Sequence, residues 1–211
     1  PVGDAELQAR VLIFRDARTL RFNGADSASE GQDASLRLVS RGDWQVDALA
    51  YVQARNFTNI VVSATTFRPT LDQRNTPATG AGGKLELRPP VDSAHLLRLG
   101  ADLPGAQGTM PETAFNPATG AVTARRLAGG DQLSTGLFVE DDWTLGNLVL
   151  TGGLRLDHWA IRNGRYESRN AAGAVTVANQ FADRSGWQPS GRAGLLWRPV
   201  GAISLRAAAC S

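Results

Sequence analysis

Apolar and polar residues alternate with a period of two through much of this chain. Trp44, Val46, Ala48, Ala50, Val52 and Ala54 share one parity, and Gln45, Asp47, Gln53 and Arg55 the other, with Leu49 and Tyr51 as exceptions. Leu97, Leu99, Ala101 and Leu103 oppose Arg98, Gly100 and Asp102. Leu148, Leu150, Leu154 and Leu156 oppose Thr151, Arg155 and Asp157, and Ala193, Leu195 and Trp197 oppose Ser190, Arg192 and Arg198. In a strand, successive side chains point to opposite faces, so this parity predicts sheets with one apolar face. Nine strand segments follow, near 5–14, 34–40, 43–57, 82–88, 95–103, 131–144, 148–161, 187–198 and 201–210.

The connections alternate as well. Tight turns fall at Arg41-Gly42-Asp43, Pro89-Pro90-Val91-Asp92-Ser93, Leu145-Gly146-Asn147 and Pro199-Val200-Gly201. Between them lie polar stretches near 15–34, 58–80, 104–130 and 162–186, which predict long loops. Short turns at one end and long loops at the other describe an antiparallel transmembrane β-barrel of the bacterial outer membrane. A soluble sandwich also alternates. Against it stand strands of more than ten residues, where about five or six is usual, and arginine and aspartate at mid-strand, as a wet lumen requires.

Composition narrows the reading. Hydrophobic residues make up 42%, so composition does not announce a membrane. No window reaches the ~18 uninterrupted apolar residues of a membrane-spanning helix; barrel strands escape that test because only alternate residues meet lipid. A net charge of +2 with dispersed arginines is too small to argue for a nucleic-acid footprint, and no nucleic-acid partner is expected. Trp44, Trp143 and Trp197 lie within three residues of a tight turn on the apolar parity, and Trp187 lies at a strand end beside a long loop. These four are the candidate aromatics of the membrane interface. Trp159 breaks the parity of its strand, which leaves lumen and loop open for it.

Nine strands with two unpaired ends do not close, since a single-chain bacterial barrel has an even number. The expectation is an open arc spanning 1–211, a partial barrel within a longer protein, which would aggregate without detergent.

The motifs from His95 onward carry a resemblance. Gly136-Leu137-Phe138-Val139-Glu140-Asp141-Asp142-Trp143, a short turn, and Leu150-Thr151-Gly152-Gly153-Leu154-Arg155-Leu156-Asp157 resemble the F-x-E-D-x-W and L-x-x-G-x-R-x-D strands of TonB-dependent outer-membrane receptors. Gly100-Ala101-Asp102 is similar to that family's G-x-D strand. Gly194-Leu195-Leu196-Trp197-Arg198-Pro199 with Leu205-Arg206-Ala207 is similar to its G-L-x-W-x-P … L-R-x-A hairpin. The resemblance spans roughly 95–210. It implies outer-membrane transport of a ferric siderophore or another scarce nutrient, driven through TonB by a plug domain. Neither that plug nor a C-terminal strand ending in an aromatic residue is recognisable in 1–211. The implied partners are outer-membrane lipid and lipopolysaccharide, TonB through the plug of the parent protein, and the nutrient; no cofactor is implied.

Candidate chemistry is sparse. Glu140, Asp142, Arg155 and Asp157 read as a hydrated cross-strand ion-pair lattice sooner than as catalytic carboxylates; the same holds for Arg98 with Asp102 and Arg192 with Arg206. His95 and His158, the only histidines, have no second ligand at useful spacing, so no metal site and no enzyme are expected. Cys210 has no partner. Binding residues concentrate on loops carried by rigid scaffolds. Arg125 and Arg126 in the stretch 104–130, and Arg165, Tyr166 and Arg169 in 162–186, are therefore the candidates for gripping an anionic ligand. Their alternative role is to contact lipopolysaccharide phosphates or to solvate the loops. A passive porin, a secreted structural or adhesive β protein and an outer-membrane enzyme remain as competing functions.

Overall fold

The protein, described over residues 5–211 in a computed structural model, is a single antiparallel sheet. Its strands are β1 (Ala5–Thr19), β2 (Asp26–Arg41), β3 (Gln45–Val62), β4 (Pro69–Arg88), β5 (His95–Phe115), β6 (Val122–Leu145), β7 (Leu148–Asn170), β8 (Val175–Gln180), β9 (Arg184–Val200) and β10 (Ile203–Cys210). They follow one another across the sheet in chain order, except that β7 carries both β8 and β9 along the same edge. Nine positions across the sheet therefore hold ten strands. The break between β8 and β9 spans 181–183, where Phe181 N donates to Gly164 O at 2.8 Å and Asn163 N to the Asp183 carboxylate at 3.1 Å.

The parity prediction is realised in the register. Directly opposed residues share a face. Leu85, Ala101, Leu137 and Leu156 form one row across β4 to β7, and Leu87, Leu99, Val139 and Leu154 the next. On the other face the rows read Lys84, Asp102, Gly136, Asp157 and Glu86, Gly100, Phe138, Arg155. Among the described residues no second layer covers either face. Among the described residues the buried apolar side chains are Ala25, Val62, Ala114 and Ala160, whereas Ile13 is 74% exposed and Leu154 68%. A soluble sandwich would bury the large side chains and expose the polar ones. Here the large aliphatic residues are the exposed set, which a lipid environment requires.

The predicted long loops are a correction. The polar stretches are mostly strand: β5 runs 21 residues and β6 runs 24, where about 9–11 residues cross a membrane. The connections at that end shrink to 20–25, 63–68, 116–121 and 171–174. Each of three is closed by a side chain at its entrance. Asn116 Oδ1 accepts from Ala118 N at 2.9 Å, Asn170 Oδ1 from Ala174 N at 3.0 Å, and Ser63 Oγ from Thr66 N at 3.3 Å. Gly120, at φ +76°, completes the first of these loops. At the opposite end Gly146, at φ +60°, takes the first central position of the two-residue β6–β7 hairpin.

Candidate functional site

The polar face is a lattice of ion pairs. Arg155 on β7 donates Nη1 to Asp102 Oδ2 on β5 at 2.7 Å and Nη2 to Asp102 Oδ1 at 3.0 Å, and its Nε reaches Asp157 Oδ2 at 2.8 Å. β6 lies between β5 and β7, and the residue in the way is Gly136, which is opposite Asp157. A Cβ there would overlap the Arg155 guanidinium. Beside it the Phe138 ring lies over Gly100, where a Cβ would overlap the ring carbons. The small residues of the motifs thus let long side chains from adjacent strands lie flat across the sheet.

Glu140, 5% exposed, is the hub of the lattice. One oxygen pairs with Arg98 Nη2 at 2.8 Å and the other with Arg192. Arg98 also binds Asp142, which accepts from Thr151 Oγ1 at 2.6 Å. Further along, Arg37 clasps Asp47 with two bonds of 2.9 and 2.6 Å, and Arg55 clasps Asp33. The lattice corrects one expected pair: Arg98 takes Glu140 and Asp142, not Asp102. Residues four apart in a strand stand about 13 Å apart, whereas opposed residues lie about 5 Å apart. Arg206 stands opposite Leu196 and does not join Arg192.

The five candidate ligand residues all lie in strands, not in loops. Arg125 and Arg126 belong to β6, and Arg165, Tyr166 and Arg169 to β7. The structure divides them between the two faces. An irregularity in β7 separates the pairs Asp131–Arg162 and Gly129–Arg165, with Asn163 at φ +55°. One extra residue reverses the parity of everything after it. Arg126 and Tyr166 consequently share the polar face, and Arg125, Arg165 and Arg169 the other. On the polar face Glu112 accepts from Arg126 Nη1 at 2.6 Å and from Gln73 Nε2 at 2.9 Å. On the other face Arg169 Nε donates to Glu167 at 2.5 Å and Arg125 Nη1 to Ala171 O at 3.3 Å.

Both histidines sit on the apolar face at the edges of its band. His95 Nδ1 lies 2.6 Å from Asp141 Oδ2, and its ring stacks on Trp143 with centroids 5.6 Å apart. That hydrogen bond raises the His95 pKa above its ordinary value, against the opposing effect of burial. His158 packs on Trp187 at 4.6 Å. Among the described residues no cluster of three or more His, Cys, Asp or Glu side chains could hold a metal.

A single sheet with one lipid-like face, one ion-paired face and central strands about twice the membrane's thickness is the wall of a barrel. The sequence matches the family described as TonB dependent receptor-like, beta-barrel over residues 7–210. The chain belongs to this family. No curated protein sequence matches it. Solved structures show the same fold. The copper transporter OprC is 16% identical with a TM-score of 0.74, covering 99% of this chain and 34% of its own. The ferric yersiniabactin uptake receptor FyuA from Yersinia pestis is 13% identical with a TM-score of 0.66, covering 83% and 27%. The ferric citrate transporter FecA is 12% identical with a TM-score of 0.61, covering 88% and 27%. The chain spans about a quarter to a third of the length of these proteins.

The TonB-dependent receptor barrel gives the two faces their names. The polar face is the lumen wall and the apolar face meets lipid. Trp143 stands opposite Leu150 and Trp197 opposite Leu148 at one end of the lipid face, while Trp187 stands opposite His158 at the other. Trp44 lies in the β2–β3 turn at the first end, 53% exposed. Between these levels the apolar band runs from Leu97 to Leu103 on β5, from Val139 to Leu133 on β6 and from Leu150 to Leu156 on β7. Trp159, on the lumen parity, covers Gly186, whose Cβ would lie 3.0 Å from the indole.

Proposed function

We propose that this chain forms part of the outer-membrane barrel wall of a receptor that imports a siderophore-like or other scarce nutrient. The observation that carries this reading is the ion-paired lumen face, which continues beyond the lipid band into a polar vestibule. A passive wall needs no such extension: β6 alone is 24 residues long.

In this reading the plug and the remaining strands belong to other parts of the polypeptide, and TonB acts through that plug. Arg126 and Tyr166 are the ligand contacts of the vestibule. Arg126 is positioned by Glu112 and flanked by the buried Ser168 opposite it. A guanidinium held at the lumen wall suits an anionic chelate. Iron-chelate and copper transport by the structural neighbours supports the class of nutrient.

The test is uptake of labelled ferric citrate, ferric catecholate and copper by cells that carry the intact gene or lack it. TonB-dependent uptake of one of them, weakened about tenfold by Arg126→Ala, supports the proposal. Uptake that persists without TonB would overturn it in favour of a passive channel.

A further inference from the structure

Two strands change parity where they leave the lipid band, and both do so at an asparagine. In β4 the pairs Phe57–Thr76 and Asn59–Gln73 leave one residue over on β4, and so do the pairs Ala78–Gly108 and Asp72–Thr113. Asn75 lies within both gaps at φ +55°, as Asn163 does in β7. Asparagine enters this left-handed region more readily than most residues with a side chain. Asn163 is also tied down: its Nδ2 donates to Asp131 at 2.5 Å and its backbone N to Asp183 at 3.1 Å. Between the two bulged strands, β5 and β6 hold one register from Gly105–Leu133 to Ala114–Ala124.

Each extra residue exchanges the faces of the strand beyond it. Unbroken, β4 would send Asp72 and Arg74 into the lumen, and β7 would send Arg165, Glu167 and Arg169. The bulges turn all of these outward, where Arg74 pairs with Asp72 at 2.7 Å and Arg169 with Glu167 at 2.5 Å. The lumen receives Leu71 and Gln73 from β4 and Tyr166 and Ser168 from β7 instead. Among the described residues, the lumen face of β4 to β8 beyond the bulges keeps only Glu112 and Arg126 as charges, and they pair at 2.6 Å. The vestibule lining on these strands is therefore neutral, although the same strands carry many charges.

We infer that the bulges at Asn75 and Asn163 are specificity determinants of the vestibule, selecting a nutrient whose body is neutral, rich in hydroxyl or amide groups, and carries at most one anionic group. The inference rests on the import reading above and names the class of nutrient. The single anionic group meets Arg126, which keeps donors beyond the one that Glu112 engages. Gln73, Tyr166 and Asn179, which stands opposite Tyr166, offer the neutral donors and acceptors around it. A compact polyanion would shed water against a face from which Arg74, Arg165 and Arg169 have been withdrawn. Burying charge without a partner costs far more than burying a hydrogen-bonded hydroxyl or amide.

The experiment uses the intact protein in cells, in a Cys210→Ser background. Opposed residues share a face, so Ala128→Cys should form a disulfide with Tyr166→Cys and not with Arg165→Cys. Deleting Asn163 should reverse that choice; where the deletion fails to fold, the two pairs in the full-length sequence decide the parity. Specificity is read by competing a neutral ferric trihydroxamate against an anionic ferric tricatecholate, with a neutral oligosaccharide as a third probe. The neutral complex should win by about tenfold or more. Gln73→Arg, which adds a lumen cation, should cut that preference about tenfold, the worth of one charge-assisted contact. Thr113→Arg, on the outer face opposite Asp72, should leave it unchanged. Preference for the polyanion, or equal effects of the two arginines, would overturn the inference. So would a disulfide through Arg165→Cys in place of Tyr166→Cys. A neutral preference that persists without TonB would overturn the import reading and leave the neutral lining standing, whereas uptake of none of the three probes would overturn both.

Discussion

Arg155 reaches from β7 across the whole width of β6 to hold Asp102 on β5, and it can do so because Gly136 offers no side chain in between. The glycine of the F-x-E-D-x-W strand and the arginine of the L-x-x-G-x-R-x-D strand are therefore one device. Gly136→Val should expel the guanidinium from its bidentate seat. The expected cost is about 1–2 kcal/mol, limited by water in the lumen. Urea unfolding of the intact protein in detergent reads it. Addition of Asp102→Asn to Gly136→Val should cost almost nothing further; full additivity would show that Gly136 acts elsewhere.

Glu140 joins Arg98 and Arg192 from two strands and is the least exposed charged group of the lattice. Glu140→Ala leaves two guanidinium groups facing each other, and about 2–3 kcal/mol of stability should go. Glu140→Gln keeps one acceptor and should lose roughly half as much. Equal midpoints in urea for the two variants would contradict this.

Leu154 and Ser190 lie on adjacent strands but on opposite faces. Leu154→Arg places a charge near the middle of the lipid band and should cost about 2–4 kcal/mol. Ser190→Arg, opposite Arg155 on the lumen face, should cost well under half of that. Folding yields into lipid vesicles compare them; similar losses would mean that the two faces had been exchanged.

His95, at the headgroup end of β5, is held by Asp141, and that bond raises its pKa. Its imidazole should titrate above 6.5, the ordinary value. A raised folded-state value means that the pair's contribution is complete below the unfolded-state value and is lost as pH rises through the folded one. Asp141→Asn should return the imidazole resonance in NMR to ordinary titration. An unchanged midpoint would exclude the pair.

The strands beyond the lipid band carry the weakest pattern in the sequence, as residues 104–130 illustrate. Inside the bilayer one face meets lipid and the other water, so Leu97, Leu99, Ala101 and Leu103 announce a strand. Beyond the bilayer both faces meet water, and Gln107, Thr109, Glu112 and Arg126 carry no hydrophobic period although they are paired throughout. The polar runs therefore resemble loops. The remaining signal is local: Asn116-Pro117-Ala118-Thr119-Gly120, Ser63-Ala64-Thr65-Thr66-Phe67 and Asn170-Ala171-Ala172-Gly173 are compact turns closed by their first side chain.

The sequence by itself determined the strands within the membrane, the parity of their faces, the turns at the Trp143 end and the family. These follow from a solvent that changes every second residue. Only the tertiary structure decided how far the strands continue, that Arg98 pairs with Glu140 and Asp142, and that Arg165 and Tyr166 point to opposite sides. Those features depend on register between strands and on one extra residue near Asn163. Register between strands leaves no mark in the sequence of either strand, and one extra residue leaves none where both faces meet water.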